Sequence, residues 1–394
     1  MKRIITFAVV AILLAQQIWA QEAKEGLTFT RTVDLKATPV KDQYRAGTCW
    51  SYAGLALLES ELIKTNRGEI DLSELYIVRM TYEEKAIKYV RMHGETNFGG
   101  GGAFHDVTNM IKKYGIVPEE IYTGLNYGTD NHVHGELDEV LKAYLDAIIK
   151  NKNRSLTTAW LPGFRAILDA YLGPVPEKFN YKGKEYTPQS YAKSLGLNMD
   201  DYICISSYTH HPFYAPFIIE IPDNWAWEVV YNLPLNEMMQ VIDYSLNNGY
   251  TIGWASDVSE KGFSFSNGVA IIPETNIKAM DGLERAKWEK LSTKDLQKEL
   301  FSFSKQVPEM IITQENRQLA FDNYETTDDH GMQITGIAKD QFGTKYYLVK
   351  NSWNTNNPYD GYFHASETFV KYKTMSIMVN KKALPKEILK KLNL

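Results

Sequence analysis

Cysteine is nearly absent: Cys49 and Cys204 are the only two in 394 residues. A chain of this length with one conceivable bridge has no disulfide framework and must hold its fold by burying a core. A Cys49–Cys204 bridge would consume the one thiol that its neighbours mark out, so both are expected to be free. An excess of basic charge is missing too, with 43 Lys and Arg against 48 Asp and Glu. That balance asks for neither a nucleic acid nor an anionic membrane surface. Beyond the first residues no apolar run reads as a transmembrane helix, and no internal repeat or low-complexity linker divides the chain. Metal-ligand spacing is weak as well. Asp130, His132 and His134 lie among Asn, Gly and Asp residues that suggest a solvated loop, so no metal and no cofactor is expected. Paired His210 and His211 before Pro212 read as a structural turn, with a rim role as the alternative.

Residues 1–20 carry Lys2 and Arg3, an apolar run from Ile4 to Leu14, and Ile18-Trp19-Ala20 before Gln21. This is the pattern of a cleaved export signal, and it predicts a periplasmic or extracellular protein spanning residues 21–394. Loss of Lys2 and Arg3 leaves 41 basic against 48 acidic residues, a net charge of −7.

The most informative stretch is Thr38-Pro39-Val40-Lys41-Asp42-Gln43 through Gly47-Thr48-Cys49-Trp50-Ser51. From Trp50 the apolar residues Ala53, Leu57, Leu58 and Leu62 recur at helical spacing, with Lys64, Arg67 and Gly68 as stop signals. Cys49 therefore starts a helix, where unpaired backbone N–H groups favour an anion and are expected to lower the thiol pKa. Gln43, six residues earlier, offers a side-chain amide that with the Cys49 N–H would give two donors to a developing oxyanion.

A histidine and its orienting partner occur far along the chain. His330 opens an alternating stretch through Ala338, Asp340 to Lys345 reads as a turn, and Tyr346 to Lys350 as the returning strand. A hairpin of this length brings His330 beside Asn351 across 21 positions. The Asn351 carbonyl would then fix one ring nitrogen and leave the other facing the thiol.

Gln43, Gly47-Thr48-Cys49-Trp50-Ser51, His330 and Asn351-Ser352-Trp353 together resemble the papain-type cysteine peptidases. The resemblance implies a papain-like, two-lobed α+β fold, with Cys49 on a helical lobe and His330 and Asn351 on a β-rich one. It implies that Trp353 shields the His–Asn hydrogen bond, and that the usual Gly after it is replaced here by Asn354. It also implies that glycines in Asn97 to Gly102, namely Gly100, Gly101 and Gly102, let a substrate backbone approach. Cys49 is the 29th residue of the expected mature chain, and His330 follows it by 281 positions. That leaves no length for an inhibitory propeptide and requires a large, mostly helical insertion, placed at 123–224. Apolar stripes from Leu137 to Ile149 and from Trp160 to Leu172 support its helices.

These features, with Arg317 to Leu389 reading collinearly, resemble the bleomycin hydrolase and aminopeptidase C branch. The branch implies an aminopeptidase that cuts peptides through a thioacyl-enzyme intermediate, and it leaves room for a homo-oligomer. In that branch a C-terminal arm blocks the cleft upstream of the cut bond. This sequence stops at Leu394 where that arm would continue. The stop predicts an open cleft able to take internal bonds, unless another segment plugs it. Acyl transfer to an amine and a catalytically silent binding protein are the other classes the sequence admits.

Overall fold

A computed structural model describes residues 26–394. The export signal expected over residues 1–20 lies outside them. The organising element is helix α1 (Cys49–Lys64), whose start falls at Cys49, where the sequence reading placed it or next to it. Its burial is broader than the apolar stripe suggested, because every residue from Trp50 to Leu62 is buried, Ser51, Glu59, Ser60 and Glu61 included. A helix covered on all faces must lie between two bodies, and α1 is wedged between the lobes. On one side it meets helices α2 (Glu74–Arg91) and α3 (Phe104–Tyr114). On the other it meets the long strand His330–Asp340, whose Gln333 Nε2 donates to Ala56 O at 2.9 Å and to Ser60 Oγ at 2.8 Å. Leu55, Leu57, Leu58 and Leu62 are fully buried along this helix, each contributing about 1.5–3 kcal/mol of burial free energy. The buried Glu59 carboxylate accepts from Thr38 Oγ1 and from the Leu72 N–H. Ser73 caps α2 by accepting from Tyr76 N at 3.0 Å.

Helices α4 (Gly135–Lys150), α5 (Trp160–Leu172) and α6 (Pro188–Leu195) extend the helical lobe, burying Leu137, Leu141, Leu145, Phe164, Leu168 and Leu172 in the same core. The 123–224 segment is not helical to its end. Tyr202–Ser206 pairs with Thr374–Asn380, and Pro216–Ile218 forms the outer strand of the main sheet. Cys204 lies in that Tyr202–Ser206 strand, buried and free; Cys49 is free as well, and half-buried.

The β-rich lobe is built on one sheet whose middle runs Thr374–Asn380, Ile252–Ser256, His330–Asp340, Lys345–Lys350, Tyr362–Ser366. Its own core contains Trp254, Met332, Ile334, Val349, Phe363 and Phe369. The hairpin follows the sequence reading, with Gln333 opposite Lys350 and Ile334 opposite Val349. The last helix, Lys386–Leu392, buries Ile388 and Leu392 in this lobe.

Two short helices, Gly282–Trp288 and Thr293–Leu300, bury Trp288, Leu296 and Leu300 in a third small core. One surface reading changes. His132 and His134 are buried and not in a solvated loop, because this segment hydrogen-bonds to the loop before α1: Arg45 N donates to His132 O and His134 N to Arg45 O. Burial holds both imidazoles neutral, down to about 4. Among the described residues no helix is long and apolar enough to cross a membrane.

Candidate active site

The strand His330–Asp340 runs directly against the first turn of α1. A Cβ at Gly331 would lie 3.2 Å from both N and Cα of Trp50, so glycine is what permits this contact. His330 is thereby brought to Cys49, and both line one cleft of about 380 Å³ with Gly102, Ile221, Asp223 and Asp328.

His330 is only 5 % exposed. Its Nε2 lies 2.7 Å from Asn351 Oδ1. An amide oxygen can only accept, so Nε2 carries the hydrogen and Nδ1 is left as the acceptor for the thiol. The Asn351 oxygen also accepts from Ser352 N at 2.8 Å, which fixes the amide. Trp353 stacks on the imidazole with ring centroids 4.4 Å apart and planes 27° apart, covering the His–Asn pair. Asn354 follows with φ of 58°. The left-handed turn usually given to glycine is therefore made by asparagine, which tolerates it better than other side chains.

The same turn anchors Gln43. Its backbone N donates to Ser352 O at 2.9 Å, and Ser352 Oγ donates to Gln43 Oε1 at 2.6 Å. With its oxygen occupied and Nε2 donating to Ala46 O at 2.7 Å, the amide keeps one hydrogen for another acceptor. Ser352 is thus a positioning residue that sequence reasoning missed, although it stood inside the recognised triplet.

The electrostatics differ from the sequence expectation. The Cys49 thiol is pushed up to about 12, where a lowered value was expected. Burial is the largest cause. The Gly331 and Trp50 N–H groups favour the thiolate, whereas the nearby Asp328 and Asp223 carboxylates oppose it. Burial also takes His330 down to about 4, against the hydrogen bond to Asn351. Desolvation thus opposes the charged form of each group and outweighs the field of the helix start at the thiol. Proton transfer from Sγ to Nδ1 then accompanies attack on a substrate.

The glycine run packs closely beside the cleft. Gly100 O accepts from Trp50 Nε1 at 2.9 Å, and Lys85 Nζ donates to Gly99 O and Gly101 O. A side chain at Gly101 would collide with the Asp223 carboxylate, and one at Gly102 would lie 2.8 Å from the Trp50 ring. Gly102 lines the cleft, Gly101 lies against the Asp223 carboxylate, and Gly100 packs on Gly47 and the Tyr82 hydroxyl. His105 and Asp106 lie in the first turn of α3. Asp106 accepts from Ala103 N and from Trp225 Nε1, each at 2.9 Å.

Asp223, Asp328 and Ile221 are the cleft residues that the sequence did not point to. Asp328 stands two positions before His330, the one signal available. Asp223 and Ile221 come from a segment with no motif.

Comparison with known proteins agrees with this architecture. The profile of the Peptidase C1-like family matches residues 1–291 and 285–394. Aminopeptidase C of Streptococcus thermophilus is 23% identical over 420 residues, covering 95% of this chain and 87% of its own. Bleomycin hydrolase of Rattus norvegicus is 22% identical over 415 residues, covering 92% and 84%. The crystal structure of PepW from Lactobacillus rhamnosis HN001 superposes with a TM-score of 0.70 at 21% identity, over 92% of this chain and 84% of that one. With a family profile matched along its whole length and a two-lobed papain-like fold, this chain belongs to the Peptidase C1-like family and is a cysteine peptidase.

Proposed function

We propose that the chain is an aminopeptidase in which Cys49 is the nucleophile, His330 the general acid–base, Asn351 its orienting partner and Gln43 an oxyanion donor. The observation that carries this is the shared cleft of Cys49 and His330, with the His330 ring held by Asn351 and shielded by Trp353. Cys49 Sγ attacks the carbonyl carbon while Nδ1 takes the thiol proton. Gln43 Nε2 and the Cys49 N–H bind the oxyanion. His330 returns the proton to the departing amine as the C–N bond breaks, leaving a thioester. Water, deprotonated by the same nitrogen, releases the acid and restores the thiol.

Removal of single N-terminal residues is supported by the relatives named aminopeptidase C and by the cleft itself, which Ile221 and Asp223 enter from the helical lobe's segment. That segment is a candidate for the plug the sequence left open, and it argues against an unobstructed endopeptidase groove. The complete set of four residues argues against a silent binding protein. The export signal reading makes the substrates peptides that reach the periplasm or the exterior.

The reading is tested by following a mixed peptide pool by mass spectrometry. Ladders shortened one residue at a time from the N-terminus are expected. Fragments that begin inside sequences would overturn the aminopeptidase assignment and favour an endopeptidase, and transfer products formed with added amine would favour acyl transfer. A second expected result concerns Gln43. Gln43→Ala should lower kcat on the order of 10²–10³-fold with little change in KM, the effect of one lost oxyanion donor. A KM effect alone would assign Gln43 to ground-state binding.

A further inference from the structure

Asp223 and Asp328 face the same cleft as the thiol, and neither has a cationic partner within 4 Å among the described residues. Asp223 has one hydrogen bond, accepted from Asn97 Nδ2 at 3.2 Å. Asp328 makes none, in contrast to Asp329 beside it, which accepts from Val258 N, Ser259 N and Thr327 Oγ1. The nearest lysine on the floor, Lys85, is engaged by the carbonyls of Gly99 and Gly101. The proposed general base His330 lines the same cleft. On the proposed function this cleft takes the peptide bond to be cut, so whatever lies next to that bond meets the two carboxyl groups.

The carboxylate of Asp223 is held in place by its surroundings. Trp225 Nε1 donates to Asp106 on α3, and Asn224 Nδ2 donates to Ile219 O at 3.0 Å and Glu228 O at 2.9 Å. The Trp227 ring meets Lys88 Nζ at 3.7 Å. Between these anchors the Asp223 side chain lies on Gly101, over backbone that an extended peptide would otherwise use. Two carboxyl groups near each other are costly to ionise together: burial raises Asp223 although Lys85 favours its charge, and Asp328 is pushed up to about 8 by burial, by Asp223 and by Asp329. A bound ammonium removes that cost.

We infer that Asp223, with Asp328, binds the α-ammonium group of the substrate's first residue, so that the free N-terminus is read by this pair and positioned for cleavage after one residue. The inference deepens the aminopeptidase reading and rests on it. It adds a second consequence: both carboxylates disfavour the Cys49 thiolate, and a bound ammonium would relieve that field, so the correct substrate also eases activation of the thiol.

The experiment compares an aminoacyl-amide substrate with its N-acetyl twin for wild type, Asp223→Asn, Asp223→Glu and Asp328→Asn, each checked for folding by thermal melting. The wild type should prefer the free amine strongly. Asp223→Asn should lower the ratio of kcat/KM for free over acetylated substrate on the order of 10- to 100-fold, the loss of a charge-assisted hydrogen bond. Asp223→Glu should retain part of the preference. In the free enzyme, Asp223→Asn should alkylate faster at Cys49 with iodoacetamide at neutral pH, a change that a merely structural role would not produce. A folded Asp223→Asn enzyme with an unchanged ratio and unchanged alkylation rate would overturn the inference while leaving the aminopeptidase reading intact. A wild type that cleaves both twins equally would overturn the inference and the exopeptidase assignment together. Hydrolysis of neither would overturn the proposed function itself.

Discussion

Cys49→Ala is expected to lower peptide hydrolysis by a factor on the order of 10⁴ or more, with the fold retained. No other thiol can substitute. Cys204 is buried in the strand Tyr202–Ser206, and burial likewise pushes its thiol up to about 12. Removal of Sγ takes one atom from the start of α1 and leaves Trp50 to Leu62 packed as before, so melting temperature should change little. Substrate binding should also survive, because the alanine variant keeps Gln43, Asp223 and Asp328 in place. Residual turnover within tenfold of wild type would mean that Cys49 is not the nucleophile.

His330→Ala and Asn351→Ala should separate into two classes. The first removes the group assigned to carry the thiol proton, and a loss on the order of 10⁴-fold in kcat is expected. The second leaves the imidazole in place under Trp353 but frees its Nε2 and the choice of tautomer. The cost of that hydrogen bond to turnover is expected to be about ten- to a hundredfold. The pH profile gives the sharper reading. His330 is held down to about 4 by burial, and the Asn351 hydrogen bond raises it. Below that value the ring is protonated and cannot accept from the thiol, so the acid limb of kcat/KM should fall near pH 4 and not near the ordinary histidine value. Loss of Asn351 should move the limb lower still. Equal loss in two folded variants would give Asn351 a role beyond orientation. An unmoved limb in Asn351→Ala would show that another group holds the ring.

Local chemistry explains why part of this site was legible in the sequence. Helix start, hairpin and asparagine turn are each set by residues within a few positions of one another, so Cys49, His330, Asn351 and Gln43 could be paired in advance by spacing and by family likeness. The left-handed Asn354 was legible for the same reason. What escaped depends on contacts between distant segments. The stripe on α1 could not reveal that its polar face, Glu59 and Ser60 included, is also covered by the opposite lobe. The polar composition around His132 hid a backbone pairing with the loop before α1. The four consecutive glycines suggested a substrate floor, and the partners they meet, Trp50, Lys85 and Asp223, are supplied only by the three-dimensional arrangement. The thiol pKa failed for an energetic reason. A helix-start field is worth about 1 kcal/mol at most positions, and burial together with two carboxylates exceeds it here.

The central claim is that the reaction passes through a thioester on Cys49. The direct measurement is intact-protein mass spectrometry of a reaction with a slowly deacylating amino-acid ester, quenched in acid within the first turnover, followed by mapping of the adduct. The account predicts a mass increase of one aminoacyl group, located on the peptide that contains Cys49 and absent from the Cys49→Ala variant. An adduct on any other residue, or full turnover with no adduct at any quench time under burst conditions, would contradict it.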